Sequence, residues 1–271
     1  MNDGSIRYVS AVHCVDLCAL VKNGRVGEMK KLFIIISFGI AVSQKVHALN
    51  TSSAATAVNS GIAYLSERQS VTEGGWGDVE GPSYTYTAAA VTALRSANRR
   101  TGAYYSGIAW LENHNAANVD GMSRKIMALV GHGNNVSPDI VSVTQAKRES
   151  AQSGWGLSAG YYSSPLDTAL ALQALVKTNS TTGVSQAVAY LVGAQLSNGG
   201  WGSAGATTAD YWTTAEVAIA LHAYRSLSGV TTALSKASTY LTASDHLSLS
   251  ANVLARVAAI GVRSCPLPFC S

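Results

Sequence analysis

Residues 190–201 read YLVGAQLSNGGW. An aromatic residue and a leucine open the stretch, Gln195 follows four positions after Leu191, and Gly199 and Trp201 close it. Residues 64–76, YLSERQSVTEGGW, keep nearly the same order, with Tyr64, Leu65, Gln69, Gly74 and Trp76. Repetition at this level of detail marks a chain built from a recurring structural unit.

Working outward, the aromatic–leucine pair recurs as IAYL (62–65), IAWL (108–111), VAYL (188–191) and STYL (238–241). Gly-Trp loops occur as GGWG (74–77), SGWG (153–156) and GGWG (199–202). Trp155 and Trp201 are 46 residues apart, whereas Trp76 and Trp155 are 79 apart, which leaves room for one degenerate copy. NVDGMS (118–123) fills that gap and puts Met122 where the tryptophan would stand. An Ala/Leu-rich helix former follows each loop: TAAAVTAL (87–94), RKIMALV (124–130), TALALQAL (168–175) and TAEVAIAL (214–221). Asp167 and Thr213 fit the N-cap of the last two, where a side-chain oxygen accepts a backbone N–H. Pro82, Pro138 and Pro165 are expected in loops, because proline breaks a helix interior. No persistent alternation of period two argues for strands. Each unit is therefore a first helix, a glycine-rich loop and a second, more apolar helix. One such hairpin cannot bury its apolar face alone, so neighbours must stack.

The motif resembles the QW repeat of the squalene cyclase and protein prenyltransferase superfamily. Tyr190, Leu191, Gln195, Gly199 and Trp201 match it fully, as do Tyr64, Leu65, Gln69, Gly74 and Trp76. The copy at Trp110 and Leu111 departs, with Asn115 for the glutamine and Met122 for the tryptophan. The copy ending at Trp155 keeps Gln152 near the loop but has Ser153 at the glycine position. The resemblance covers about residues 56–228 and implies an all-α fold, an α/α toroid with inner and outer helix rings around a central cavity. Such rings usually hold about six hairpins. The sequence shows four clear ones and a fifth beginning at Ala233, so an incomplete ring with an open edge is expected. In physical terms the motif is a repeat clamp. Glycine permits a tight turn, the glutamine amide stacks on the indole while bonding free backbone groups at a helix end, and tryptophan wedges between hairpins.

Composition agrees with a packed domain. Of 271 residues 47% are apolar and only 13% charged, which excludes a disordered chain. The formal charge of +4 is concentrated in residues 1–48, where six Lys/Arg and three acids give +3; the rest carries +1. No basic stripe supports nucleic-acid binding. From Met29, MKKLFIIISFGIAVSQKVHA has a basic n-region, an apolar run from Leu32 to Val42 and a small-residue cleavage site. This reads as a signal peptide over 29–48, cut after Ala48, rather than a membrane span. Residues 1–28 then read as a spurious upstream extension, 49–262 as the repeat domain and 263–271 as an unpatterned tail. A secreted, periplasmic or cell-surface location follows. Cys14, Cys18, Cys265 and Cys270 all lie outside residues 49–264, so the domain has neither a thiol nucleophile nor a cysteine metal ligand.

The residues that chemistry would need are mostly missing. The superfamily's cyclases protonate an alkene or epoxide with an acid in an Asp-any-Asp-Asp-Thr-Ala motif. SPLDTAL (164–170) keeps only Asp167, Thr168 and Ala169; Ser164 and Leu166 stand at the first two acids, and a leucine donates no proton. SYTYTA (83–88) and YWTTAE (211–216) offer no substitute. The prenyltransferases need a zinc site with Asp, Cys and His ligands, but His114, His132, His222 and His246 are scattered. Neither metal nor cofactor is expected. No catalytic residue stands out; Asp210 and Glu216 are the weak candidates for a cavity acid, with helix capping or packing as the alternative. Tyr84, Tyr86, Tyr161, Tyr162, Tyr211 and Trp212 follow the loops, where the resemblance places the cavity mouth, and are candidate ligand contacts through their ring faces. The expected function is a secreted toroid domain without cyclase or transferase chemistry. Its partner would be a small apolar, planar or corrinoid-like ligand, or a protein covering the open edge. The alternatives are a squalene-type terpene cyclase, or a fragment of one, and a structural module of a larger surface protein.

Overall fold

The computed structural model describes residues 51–77, 82–147 and 153–242. The signal-peptide segment, the tail and residues 243–262 of the expected fifth hairpin lie outside the described residues. Among the described residues nine helices run in order: α1 (Thr51–Arg68), α2 (Pro82–Ser96), α3 (Gly102–Asn113), α4 (Val119–Val130), α5 (Ser137–Gln145), α6 (Pro165–Lys177), α7 (Val184–Gly193), α8 (Tyr211–His222) and α9 (Val230–Thr242). The described residues contain no strand, only an isolated bridge between Trp201 and Asp210.

Packing separates the helices into two layers. Helices α2, α4, α6 and α8 form one row, each packed on the next. Helix α3 packs on both α2 and α4, α5 on α4 and α6, α7 on α6 and α9, and α9 on α8. Among the described residues the row is covered from one side by an outer layer, and no described helix covers its opposite, free face. The four Ala/Leu-rich stretches fall inside the four row helices, consistent with their near-complete burial: Thr213 to Leu221 of α8 are buried without interruption.

One interaction set repeats along the row. The hydroxyl of Thr168 accepts from the Trp155 backbone N–H (2.9 Å) and donates to the Trp155 carbonyl (3.0 Å). Thr87 does the same for Trp76, and Thr214 accepts from the Trp201 N–H, both at 2.9 Å; the single Thr214 proton is shared between the Asp210 carbonyl (2.7 Å) and the Trp201 carbonyl (3.2 Å). The indole N–H of each tryptophan donates to a carbonyl near the end of the preceding outer helix: Leu65, Val143 and Leu191, all at 2.7 Å. Trp155 and Trp201 are fully buried. The backbone and indole groups of each tryptophan in these buried loops are thus paired, as burial demands.

The other motif residues act between units. Gln195 Nε2 donates to the Gly199 carbonyl of its own loop and to the Ala233 carbonyl in the first turn of α9, both at 2.8 Å. Gln69 bonds Gly74 at 2.6 Å and Ala103 of α3 at 2.8 Å in the same way. Gly199, at φ +89°, lies so close to α9 that a Cβ would meet the Lys236 carbonyl oxygen at 2.5 Å. The aromatic partner of the leucine reaches in the opposite direction. Tyr190 donates to the Ser163 carbonyl (2.7 Å) and Tyr240 to the Ala209 carbonyl (3.0 Å), each just before a row helix.

Three sequence expectations are corrected. The N-caps lie one turn earlier than expected. Ser164, not Asp167, caps α6 by accepting from the Asp167 N–H, and Asp210, not Thr213, caps α8 by accepting from the Thr213 N–H. The Ser164 hydroxyl also donates to the Asp167 carboxylate at 2.7 Å, a reciprocal arrangement typical of helix starts. The prolines open helices rather than sit in loops: Pro82 and Pro165 are first residues and Pro138 a second, positions whose N–H has no intrahelical partner. Met122 does not replace the tryptophan. It lies inside α4, four residues after the Asn118 cap, the position that Thr168 and Thr214 hold after theirs. That unit has no Trp–Thr bridge; His114 stacks on Trp110 instead, with ring centroids 4.2 Å apart, and Lys125 bonds the His114 carbonyl (3.1 Å) and Asp139 (3.0 Å).

Replacing Thr168 by valine keeps the shape but leaves the buried Trp155 N–H without its acceptor. A loss of about 1–3 kcal/mol is expected, measurable by urea unfolding; an unchanged midpoint would show that the bridge contributes nothing.

Candidate functional site

The repeated threonine sets a common register for the row, with Met122 in its place on α4. Two residues before it stand Thr85, Asp120, Leu166 and Trp212. Two residues after it stand Ala89, Arg124, Leu170 and Glu216, and five after it Thr92, Met127, Gln173 and Ile219. On α4 the half-buried residues Asp120, Arg124 and Met127 are spaced i, i+4, i+7, one helical stripe. The outer side of α4 is identified independently, since Lys125 bonds Asp139 of α5. The stripe therefore lies on the row's free face.

This face differs along its length. Between α6 and α8 it is closed: Leu170 and Glu216 are fully buried, and Gln173 Nε2 donates to Glu216 Oε2 (2.9 Å). Along α2 and α4 it is more open, with Thr85, Thr92 and Met127 half-buried and Ala89 exposed. Here Arg124 Nε is ion-paired with Asp120 Oδ1 across one turn. The Arg124 side chain is 12% exposed and that of Asp120 31%. A separate open depression of about 350 Å³ lies on the opposite side of α4, lined by Ala117, Met122, Ser142, Gln145 and Ala159 among others.

The two candidate acids have structural partners. Asp210 is exposed and caps α8, with its Oδ1 accepting from the Thr213 N–H at 2.7 Å. Glu216 is tied to Gln173 inside the row. Among the six aromatic candidates, only Trp212 has the free-face register. Tyr84 packs edge-on against Trp110 (5.0 Å) and Tyr211 stacks on Tyr240 (4.9 Å), both toward the outer layer. Tyr86, Tyr161 and Tyr162 are exposed near the starts of α2 and α6. The six do not meet in one pocket. Sequence reasoning missed Asp120 and Arg124; their signal was an Asp–Arg pair at i, i+4 in a helix whose start had been placed too late. Among the described residues no group of His, Cys, Asp and Glu is arranged to hold a metal, and no helix is long and apolar enough to cross a membrane.

Two titrating groups beside the site are displaced from their usual values. Burial raises the Asp167 carboxyl above 3.8; the Ser164 hydroxyl opposes this and the Asp120 charge adds to it. Burial, followed by the Asp167 charge, pushes the Tyr190 hydroxyl up to about 12.

With this geometry in view, solved structures identify the fold. The chain is similar to ent-copalyl diphosphate synthase from Streptomyces platensis, with a TM-score of 0.61 and 15% identity over 88% of this chain and 50% of that one. It is similar to the type II terpene cyclase MstE from Scytonema, with a TM-score of 0.58 and 16% identity over 78% and 67% of the two chains. A protein from Actinoplanes gives a TM-score of 0.59 and 14% identity over 87% and 90%. The chain spans about half the length of the copalyl diphosphate synthase. No protein-family model matches the sequence, and no curated protein does. The fold is that of the squalene-cyclase-like α/α toroids, the architecture of the type II terpene cyclases.

The Asp167 shift has a pH signature. Its native carboxyl keeps a proton that the unfolded chain has lost, so stability falls as pH rises from about 3.8 through the native value and is level above it. Asp167→Asn is expected to remove that slope in urea unfolding curves between about pH 4 and pH 7. Parallel pH dependences of the two proteins would contradict it.

Proposed function

We propose that this chain is an exported binding module on a toroid fold, not a terpene cyclase. Leu166 carries this reading. In the resemblance to the cyclases, the proton-donating acid belongs at that position, and the adjacent Asp167 is engaged with the Ser164 cap at 2.7 Å. A leucine side chain has no proton to give, and a carboxyl that closes a helix start is already occupied. The face that would hold a substrate is kept as a mixed surface of threonine, methionine, leucine and tryptophan, suited to the apolar body of a small ligand. Export rests on the n-region, apolar run and cleavage pattern of residues 29–48.

A type II cyclase, or part of one, is the second reading, favoured by the fold of the structural neighbours. The two readings separate by product analysis. The purified chain, incubated with squalene and with geranylgeranyl diphosphate and extracted for mass spectrometry, is expected to return both unchanged. Any cyclised product would overturn the binding reading. For export, the mature protein recovered from its native cells is expected to begin at Leu49; an intact Met29 start inside the cell would refute it.

A further inference from the structure

We infer that the depression beside α4, on the side away from the free face, binds a free monocyclic phenol, which takes the place of a ring that the repeat supplies in the other described units. The indole bonds fix the register. Trp76, Trp155 and Trp201 donate to the carbonyls of Leu65, Val143 and Leu191, so these three residues are equivalent. The residue four after each reaches forward to the next outer helix. Gln69 and Gln195 do so, and on α5 it is Lys147, whose Nζ donates to Gln186 of α7 at 2.9 Å. The residue before each is the motif's aromatic in Tyr64 and Tyr190, but on α5 it is Ser142.

Three outer helices show what the ring does. Trp110, Tyr190 and Tyr240 reach back to the preceding unit and lie against Gly75, Gly154 and Gly200, where a Cβ would meet the ring at 2.8, 2.8 and 3.0 Å. Tyr190 and Tyr240 also donate to the carbonyls of Ser163 and Ala209, the residues just before the caps of α6 and α8. Before the Asn118 cap of α4 that residue is Ala117. The caps of α4, α6 and α8 share an extended backbone, with φ −131°, −118° and −122°, so the carbonyl before each is presented alike. Ser142 reaches only its own helix, its hydroxyl donating to the Pro138 carbonyl at 3.0 Å. Among the described residues no hydrogen bond reaches the Ala117 carbonyl. The depression of about 350 Å³ lies at this place. Its described lining includes Ser142, Ala117 and Met122, the counterpart of the bridging threonine. Ala146 of the α5 end, and Ser158 and Ala159 of the loop that the Val119 N–H holds through the Leu157 carbonyl (2.9 Å), complete it.

The chemistry selects the ligand class. A phenol lays its ring on the Met122 thioether and the alanine methyls, and its hydroxyl donates to the Ala117 carbonyl as the two tyrosine hydroxyls do to theirs. The backbone that carries the ring in the other units is already in place here as α5. What the unit lacks is the ring alone, which a free phenol supplies. The site lies apart from the free face, so its failure leaves the reading above untouched.

The test is an NMR titration of the full chain, labelled at its methionine methyl groups, with 4-methylphenol, 4-methylanisole and N-acetyltyrosine amide at neutral pH. Met122→Leu assigns the Met122 signal. 4-Methylphenol is expected to shift that signal saturably and to leave the Met127 signal, on the free face, in place. 4-Methylanisole has the ring but no donor and is expected to bind about fivefold weaker, the size of one neutral hydrogen bond. The tyrosine amide is also expected to be weaker, because its backbone competes with α5 for room. Ser142→Tyr restores the repeat's own ring and is expected to abolish the Met122 response and raise the urea midpoint. If Ser142→Tyr does not fold, the ranking of the three probes on the unaltered chain decides. No response of Met122 to 4-methylphenol at about 10 mM, equal affinity for 4-methylanisole, or undiminished binding in folded Ser142→Tyr would overturn the inference. Tighter binding of the tyrosine amide would make a partner protein's tyrosine the occupant and overturn the free phenol.

Discussion

A buried loop must satisfy its own backbone, and in this protein a threonine hydroxyl does so three times over. Trp76, Trp155 and Trp201 each sit in a loop pressed between an outer helix and a row helix, where water cannot reach their N–H and C=O groups. A hydroxyl can both accept and donate, so one threonine on the row helix takes each tryptophan N–H and lies within reach of its carbonyl, which at Trp155 and Trp201 also accepts from the N–H of the cap residue. The indole N–H then closes the third side on an outer-helix carbonyl. The crossing of each hairpin, and hence the register between layers, depends on this bridge.

The rest of the motif converts hairpins into an array. Gln69 and Gln195 reach forward to the first turn of the next outer helix, and Tyr190 and Tyr240 reach back to the carbonyl before the preceding cap. Each unit thus holds both neighbours through polar groups that would be costly to leave unpaired. Solenoid-like stability, a sum over nearest-neighbour interfaces, is the natural consequence. The second unit shows how much variation this tolerates. With Met122 in place of the threonine, the Trp–Thr bridge disappears, and a His114–Trp110 stack with the Lys125–Asp139 contact occupies the region.

The row's free face differs along its length. Here the face is sealed between α6 and α8 by Gln173 and Glu216, and remains more open along α2 and α4, where Asp120 and Arg124 stand. The aromatic residues near the cavity mouth divide between the outer layer, where Tyr84 and Tyr211 pack, and the exposed positions of Tyr86, Tyr161 and Tyr162.

The all-helical repeat was legible in the chain itself, because apolar periodicity and Gly-Trp punctuation are local properties. Leu166 likewise has no ionisable proton, whatever surrounds it. The positions of the caps were legible only in part. Ser164 and Asp167, like Asp210 and Thr213, are equally good capping residues on paper, and the choice falls to the backbone that the Trp–Thr bridge has already positioned. Which face of each row helix the described outer layer leaves uncovered depends on packing between helices. That assignment needs the outer-layer contacts of Lys125, Tyr84 and Tyr211 and the inter-row contact of Gln173 with Glu216, groups 14 to 43 residues from their partners. Periodicity within one helix identifies a stripe, but which neighbour covers it is fixed by packing between helices distant in sequence.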